Sequence, residues 1–292
     1  MQLTQRCASS SVMVKRDSLY PSIDGAFLMD DNSFRQLLDH LGLSWKGYAR
    51  VRKGVKKRIV RHMQQLGVED MGHYLRALEH PVILREAERL MAVSISSFFR
   101  DRDLWQKLED EILPRVAITH PEGIHAWSAG CATGQEAYSL AVLWEPMKVK
   151  PANPPSLLIW ATDINPDHLK RAMAGIYGKG SLRGMPEEIR KTYFPPCEDG
   201  PNFCAGGSLR GNILWKVHDL IKEDPPHERF QIIFLRNSIL TYYREEFRAP
   251  ALGKAIACLD AGGFFIIGRR ERLLPNNTLL PFQGSSYIFQ KP

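Results

Sequence analysis

An all-α module followed by an α/β domain on a mostly parallel sheet is the architecture that this sequence predicts. Apolar residues from Phe34 onward recur with a helical period, and no strand signal appears before residue 124. After Pro114, short apolar runs alternate with helical patterns, as in a parallel α/β sheet. The last two strand candidates follow one another without a helix between them, which predicts an antiparallel pair at the end of the sheet.

The 292 residues, 44% of them hydrophobic, suffice for two ordinary domains. Residues 1–30 show a Ser cluster, Pro21 and little periodicity, and read as a flexible arm. Phe34, Leu37, Leu38 and Leu41 mark an amphipathic helix that Gly42 stops. Val55, Ile59, Met63 and Leu66 mark a second, closed by Gly67, and two more run over 70–79 and 83–91, separated by Pro81. Residues 31–115 are therefore expected to form an all-α domain and linker, and 116–292 the α/β domain. Its strands are expected at 124–128, in LLIWATDIN ending at Asn165, and at 230–235, 264–268 and 286–290, with a helix over 244–258. Asn165 is placed to cap the helix that follows it, with Pro166 as first helical residue. The segment 195–212, with three Pro and four Gly, breaks this rhythm and reads as a loop or a small β insertion.

No run of eighteen apolar residues occurs, so no transmembrane helix is expected, and the N-terminus lacks the apolar stretch of a secretory signal. Five scattered cysteines without a CxxC pair read as reduced thiols of a cytoplasmic protein. The nine histidines show no HxxxH or HExxH spacing, so no protein-ligated metal is expected. The net charge of +7 is concentrated locally: between Trp45 and Met63 stand eight Lys or Arg and no acid. Such a block suits an acidic partner, or is simply a solvated helix face. It lacks the interleaved aromatics of a base-stacking surface, which argues against nucleic acid.

The first strand runs into WSAGCATGQEAYSLA (127–141), with Gly130 and Gly134 in the turn. Glycine there allows a tight turn and close approach of a ligand. The second strand ends on Asp163, placed to accept hydrogen bonds from ribose hydroxyls. GxGxxG and GK[ST] are both missing, so a ligand with a ribose but no phosphate fits better than a dinucleotide or a nucleoside triphosphate. S-adenosylmethionine (SAM) is such a ligand.

Several separated segments then carry a resemblance: RIVRHM in the basic helix, SISSFFRD (94–101), SAGCATGQEAYSLA, ATDIN, AMAGIYGKGSLRGMPEE (172–188), VHDL (217–220) and FLRN (234–237). In this order and spacing the chain resembles the CheR family of chemotaxis receptor methyltransferases over residues 31–292. The resemblance implies a SAM-dependent Rossmann-like sheet, an N-terminal all-α domain and a small inserted β subdomain near 195–216. It also implies transfer of the SAM methyl to glutamate side chains of chemoreceptors, in the cytoplasm, with an acidic receptor helix docked on the basic helix 45–63 and no insertion into membrane. Carried over by position, it implies cofactor contacts from Ser94, Ser96, Arg100, Gly130, Glu136, Asp163, Asp219, Leu220, Arg236 and Asn237, and it implies Arg100 in catalysis. The chain departs from the family at three points. Ser94 and Ser96 stand for Asn and Thr. Thr241 stands where the family has a catalytic Tyr, with Tyr242 next in line for that role. Gly268, Arg269, Arg270 and Glu271 replace Gly-His-Ser-Glu.

A glutamate carboxylate is ionised at neutral pH, so methylating it needs no general base, only alignment of nucleophile and methyl. Arg100 would orient the carboxylate by a charge-assisted hydrogen bond, with help from Tyr242 and from Arg269 or Arg270. Phe98, Phe99, Tyr138, Trp45, Trp105 and Trp127 read as packing residues, and nothing marks Cys131 as an activated thiolate. Two other readings stand beside this one: a methyltransferase of the same fold acting on another protein or a small molecule, and a regulator that binds SAM or S-adenosylhomocysteine (SAH) with little turnover.

Overall fold

In the computed structural model the described residues are 29–94, 96–148, 155–198, 200–274 and 277–292, so the expected arm, apart from Met29 and Asp30, lies outside them. Helix α1 (Asp31–His40) begins where the Asp30 carboxylate accepts the Ser33 N–H at 2.7 Å, and buries Phe34, Leu37 and Leu38. A single turn, α2 (Trp45–Tyr48), is too short to show a period in the sequence. Helix α3 (Arg52–Gln65) turns Val55, Ile59 and Met63 inward. Asp70 caps α4 (Met71–Ala77), and α5 (Pro81–Met91) starts on Pro81, which opens this helix instead of lying outside it. These helices share one apolar cluster built on Phe34, Leu38, Tyr48, Ile59, Met63 and Tyr74. Each such side chain contributes about 1.5–3 kcal/mol on burial.

The chain then makes one helical run, α6 (Arg102–Lys107), a π turn (Leu108–Ile112) and α7 (Leu113–Thr119). The helix widens just before Pro114, which has no N–H to give to the turn behind it. Leu104, Trp105, Leu108 and Ile112 pack with Ile124, Ile232 and Phe264 of the sheet. The expected boundary at 115/116 therefore falls inside a helix that belongs with the sheet.

The α/β part continues with β1 (Ile124–Ala129), α8 (Gln135–Trp144), β2 (Leu157–Asp163), α9 (Pro166–Ala174), β3 (Ile176–Tyr177), α10 (Glu187–Tyr193), β4 (Phe203–Cys204), α11 (Gly207–Arg210) and β5 (Ile213–Val217). It ends with β6 (Phe230–Leu235), α12 (Ile239–Tyr242), α13 (Glu245–Ala257), β7 (Leu259–Ile267), β8 (Leu280–Pro281) and β9 (Ile288–Gln290). The seven-stranded sheet has the order β5-β2-β1-β6-β7-β9-β8. It is parallel up to β7, and the predicted antiparallel pair is β7 with β9. Strand order reverses at β1, which leaves a crevice beyond the carboxyl ends of β1, β2 and β6. Asn165 caps α9 through the Asp167 N–H at 2.9 Å, with Pro166 as first helical residue, as the sequence predicts.

Two expectations are corrected. The insertion does not reach 216: residues 213–217 are β5, an edge strand of the main sheet, and its alternating exposure had hidden it among polar neighbours. The small β element is instead the antiparallel pair β3–β4. Nor are all the cysteines reduced. A hairpin, with Pro196 bridged to Phe203 and Cys197 N–H donating to Asn202 O at 2.8 Å, brings Cys197 and Cys204 into a disulfide. Cys131 and Cys258 are free thiols, and Cys7 lies outside the described residues. Among the described residues no helix is long and apolar enough to cross a membrane.

Candidate functional site

Two cavities open at the crevice beyond β1. The larger is lined on one side by Leu41, Leu43, Tyr48, Glu88 and Met91 of the N-terminal helices. Across from them stand Asp163, His168, His218, Leu220, Ser238 and Tyr242. The smaller is polar and lined by Ser96, Arg100, Glu136 and Arg236. Gly130, Ala132, Val93 and Asn237 border both, so the two form one elongated site.

The β1–α8 turn is its floor. Gly130 has φ +81°, and a Cβ there would come within 3.0 Å of the Ser238 side chain. Gly134 starts α8 at φ +89°, where a Cβ would lie 2.8 Å from Ala172. Both positions need glycine, the first to keep the cavity open and the second to let α8 lie against α9. Asp163, 8% exposed, ties this floor to β2: Oδ2 accepts Ala132 N–H at 2.9 Å, and Oδ1 accepts Asn165 N–H at 2.9 Å.

Arg236, at the carboxyl end of β6, clamps the polar end. It reaches Asp101 Oδ2 at 2.6 Å, Glu136 Oε2 at 2.9 Å and the Arg100 carbonyl at 3.1 Å. Glu136 also accepts Ser128 O–H at 2.7 Å, so its carboxylate lines the cavity already balanced by a cation. This clamp fixes the linker that carries Arg100 against β6. Asn237 follows in the left-handed region (φ 54°), and its N–H donates to Glu271 Oε2 at 2.9 Å.

Glu271, 6% exposed, also accepts the Gly268 N–H and the Thr241 hydroxyl. Thr241 is thus turned away from the larger cavity, and Tyr242 lines it. The Tyr242 ring lies 5.1 Å from that of Tyr48, burial raises its pKa, and Arg100 lies close enough to oppose that rise. Burial also pushes the Cys131 thiol well above its ordinary range, which agrees with an inert cysteine.

Of the sequence-expected residues, Gly130, Asp163, Asp219, Leu220, Asn237 and Tyr242 line the larger cavity, and Ser96, Arg100, Glu136 and Arg236 the smaller. Ser94 is exposed and lines neither. Asp219 is partly occupied: Oδ1 accepts Ile221 N–H at 2.9 Å, and Oδ2 lies 3.6 Å from Lys222, which also bridges to Glu88 on α5 at 2.6 Å. Sequence reasoning missed His168, His218, Ser238 and the wall from the N-terminal helices. Asn165 and Pro166 did announce the helix start that brings His168 to Asp163.

A nucleoside with an amino-acid tail fits these residues. Ser238 Oγ and His218 Nδ1 are buried without a hydrogen-bond partner among the described residues. His218 Nε2 meets the Asp224 carbonyl at 2.8 Å, so Nδ1 presents a lone pair to a base amino group. SAM would be held with its ribose at Asp163, its base beside His218 and Leu220, and its amino-acid end at Glu136 and the linker. Among the described residues no group of His, Cys, Asp or Glu is arranged to hold a metal ion.

The basic block also resolves into parts. Arg52 Nε and Lys56 Nζ pair with Asp31 at 3.2 and 2.5 Å, and Arg58 donates to the carbonyls of Leu90 and Ala92 at the end of α5. Lys53, Lys57 and Arg61 are exposed at four-residue intervals along one face of α3. Arg269 pairs with Asp103 at 3.2 Å, and Arg270 is exposed.

Comparison with known proteins shows which family the chain belongs to. The family model described as CheR methyltransferase, SAM binding domain, matches residues 94–288. A chemotaxis protein methyltransferase of Listeria monocytogenes is 32% identical over 221 residues, 75% of this chain and 81% of that protein. One of Vibrio parahaemolyticus is 32% identical over 185 residues, 63% of this chain and 66% of that protein. An uncharacterized 104.1 kDa protein of Rhodobacter capsulatus is 30% identical over 223 residues, and the match spans only 23% of its length.

Proposed function

The chain belongs to the CheR family of SAM-dependent methyltransferases, and from that membership we propose that its methyl acceptor is a glutamate side chain on an acidic, helical protein of the chemoreceptor type, methylated in the cytoplasm. The observation that carries this reading is that Arg100 and Tyr242, close enough to influence one another, line the two adjoining cavities, Arg100 the smaller and Tyr242 the larger. SAM supplies an electrophilic methyl on its sulfonium. The protein has to bring up an ionised carboxylate, hold it by one oxygen and leave the other free to attack. An arginine and a phenol suit that task, since both donate hydrogen bonds to a carboxylate and neither needs to remove a proton from it.

Docking is assigned to Lys53, Lys57 and Arg61. Their spacing repeats every helical turn, about 6 Å apart, and matches acidic residues along one face of a partner helix. Arg52, Lys56 and Arg58 serve the fold, so they are left out of this surface. A second reading, another acceptor for the same chemistry, has Thr241 and the exposed Arg270 in its favour, since both depart from the family pattern at the acceptor side.

Methyl transfer from labelled SAM into a host-cell extract, followed by mild alkali, separates these readings. Alkali-labile label released as methanol from membrane receptor bands, lost with Arg100→Ala, is the expected result. Alkali-stable label, or label on small molecules, would support the second reading. SAH binding without any transfer would mark a regulator that kept the pocket and lost the chemistry.

A further inference from the structure

Asp163 cannot satisfy a ribose alone. A carboxylate offers about four acceptor lone pairs. Oδ1 accepts Asn165 N–H at 2.9 Å and His168 Nδ1–H at 3.2 Å, and Oδ2 accepts Ala132 N–H at 2.9 Å. One lone pair, on Oδ2, is left. A ribose brings two neighbouring hydroxyls, and the second needs another acceptor close by.

His168 is the nearest candidate. It is the third residue of α9, and the first turn of that helix, closed by His168 N–H to the Asn165 carbonyl at 3.1 Å, carries its ring back to Asp163. The ring is buried (8% exposed) and lines the same cavity as Asp163. With Nδ1 giving its hydrogen to Asp163, Nε2 carries a lone pair. The contact of Nε2 among the described residues is Asn165 Nδ2 at 3.5 Å, the outer limit of a hydrogen bond. A buried imidazole nitrogen held so loosely, beside a carboxylate with one vacancy, is a second acceptor.

We propose that His168 is a cofactor-binding residue: Asp163 Oδ2 accepts one ribose hydroxyl of SAM and His168 Nε2 accepts the other. The proposal rests on the SAM assignment but not on the identity of the methyl acceptor. It splits ribose recognition between two side chains that the Asn165 cap holds in register. Of the other polar groups lining the cavity, Asp219 lies against Lys222, and His218 gives its Nε2–H to the Asp224 carbonyl while its Nδ1, like Ser238 Oγ, is left for the rest of the nucleoside.

Calorimetric binding of SAH and of its 2′-deoxy and 3′-deoxy analogues, to the wild-type chain and to His168→Asn, tests it. Asparagine keeps an N–H near the position of Nδ1 for Asp163 and has nothing in place of Nε2. The wild type should lose about three- to tenfold in affinity for each missing hydroxyl. His168→Asn should bind SAH about three- to tenfold more weakly, become indifferent to the loss of one hydroxyl and keep the full penalty for the other. Equal penalties for both hydroxyls in the variant would overturn the proposal, because His168 would then act only by steadying Asp163. Unchanged SAH affinity in the variant would also overturn it. So would a wild type indifferent to either hydroxyl, a measurement that stands even if the variant does not fold. Wild-type protein that binds no SAH at all would strike the cofactor assignment itself, and this proposal with it.

Discussion

Replacing Arg236 with methionine removes the cation that holds three separate segments together. Its side chain is 4% exposed and bonds to Asp101 at 2.6 Å and Glu136 at 2.9 Å, whose side chains are 25% and 14% exposed. Methionine fills much of the same volume, so the loss is mainly electrostatic: two carboxylates are left without their cation, Glu136 keeping its bond from the Ser128 hydroxyl. Stranding a buried charge costs about 3–5 kcal/mol. Asp101 retains enough water to place the expected cost at the lower end, about 3 kcal/mol. For a chain of this size that corresponds to a fall in melting temperature of roughly 6–12 °C. Urea unfolding followed by circular dichroism would measure it, within a double-mutant cycle that pairs Arg236→Met with Glu136→Gln. The neutral amide leaves fewer stranded charges in the double variant, so the two losses should fall short of additivity by about 1 kcal/mol or more. Losses that add within about 0.5 kcal/mol would refute the clamp.

Tyr242→Phe should lower the transfer rate to a receptor fragment at least about tenfold with SAH affinity unchanged, read by radiolabel transfer and calorimetry. Thr241→Val should leave the rate nearly intact and cost about 1–2 kcal/mol of stability, since it takes one donor from the buried Glu271. Burial lowers the pKa of His62 and of His125 in the folded chain. The unfolded chain therefore binds more protons below the ordinary histidine value of about 6.5, and stability, full above that pH, should decline as pH falls through it; a melting-temperature series from pH 8 to 5 that stays flat would contradict this. Reversing Lys53, Lys57 and Arg61 to glutamate should raise KM for the acceptor about tenfold at low salt without moving KM for SAM, and the difference should shrink at about 0.5 M salt.

How much of this was legible in the sequence depended on whether one segment alone carried the signal. Helices α1 and α3 were visible because Phe34, Leu37 and Leu38, and Val55, Ile59 and Met63, lie one turn apart on a single buried face. The antiparallel end of the sheet was visible because no α-helical pattern separates the last two strand candidates, which are β7 and β9. Strand β5 was hidden because an edge strand leaves half its residues in water: Leu214 and Val217 are exposed and only Ile213 is buried. The disulfide was missed because a seven-residue spacing says nothing until the Pro-rich hairpin is seen to fold back. In the site, Gly130 and Asp163 stood out because β1 runs into the one and β2 ends on the other, whereas Asn237, two residues past β6, was named from the family resemblance alone. The wall from Leu43, Tyr48 and Met91 was not legible, because it arises only from packing between distant segments, and His168 was not, because a lone histidine in the first turn of α9 gives no sign of facing Asp163.

The proposed role of Tyr242 depends on which of two neighbouring residues faces the cavity. On a helical turn, successive residues point about 100° apart, so Thr241 and Tyr242 cannot serve the same face. The buried Glu271 carboxylate decides between them. It already holds the N–H groups of Gly268 and Asn237, and the Thr241 hydroxyl supplies a third donor that a tyrosine at 241 would be too long to place there. With Thr241 taken inward, Tyr242 is turned to the cavity and onto Tyr48 of the N-terminal helices. The backbone fastens it there too, with Ser44 N–H donating to the Tyr242 carbonyl at 2.8 Å. The phenol is thus positioned by the same helical segment that leads into the basic helix. Under the proposed function, acceptor docking on α3 and acceptor orientation at Tyr242 would then share one support. Loosening the contact between α2 and α12, as Tyr48→Ala would, should therefore lower kcat for the protein acceptor more than it weakens SAH binding. Equal losses in both would mean that Tyr48 serves only as a wall of the cofactor cavity.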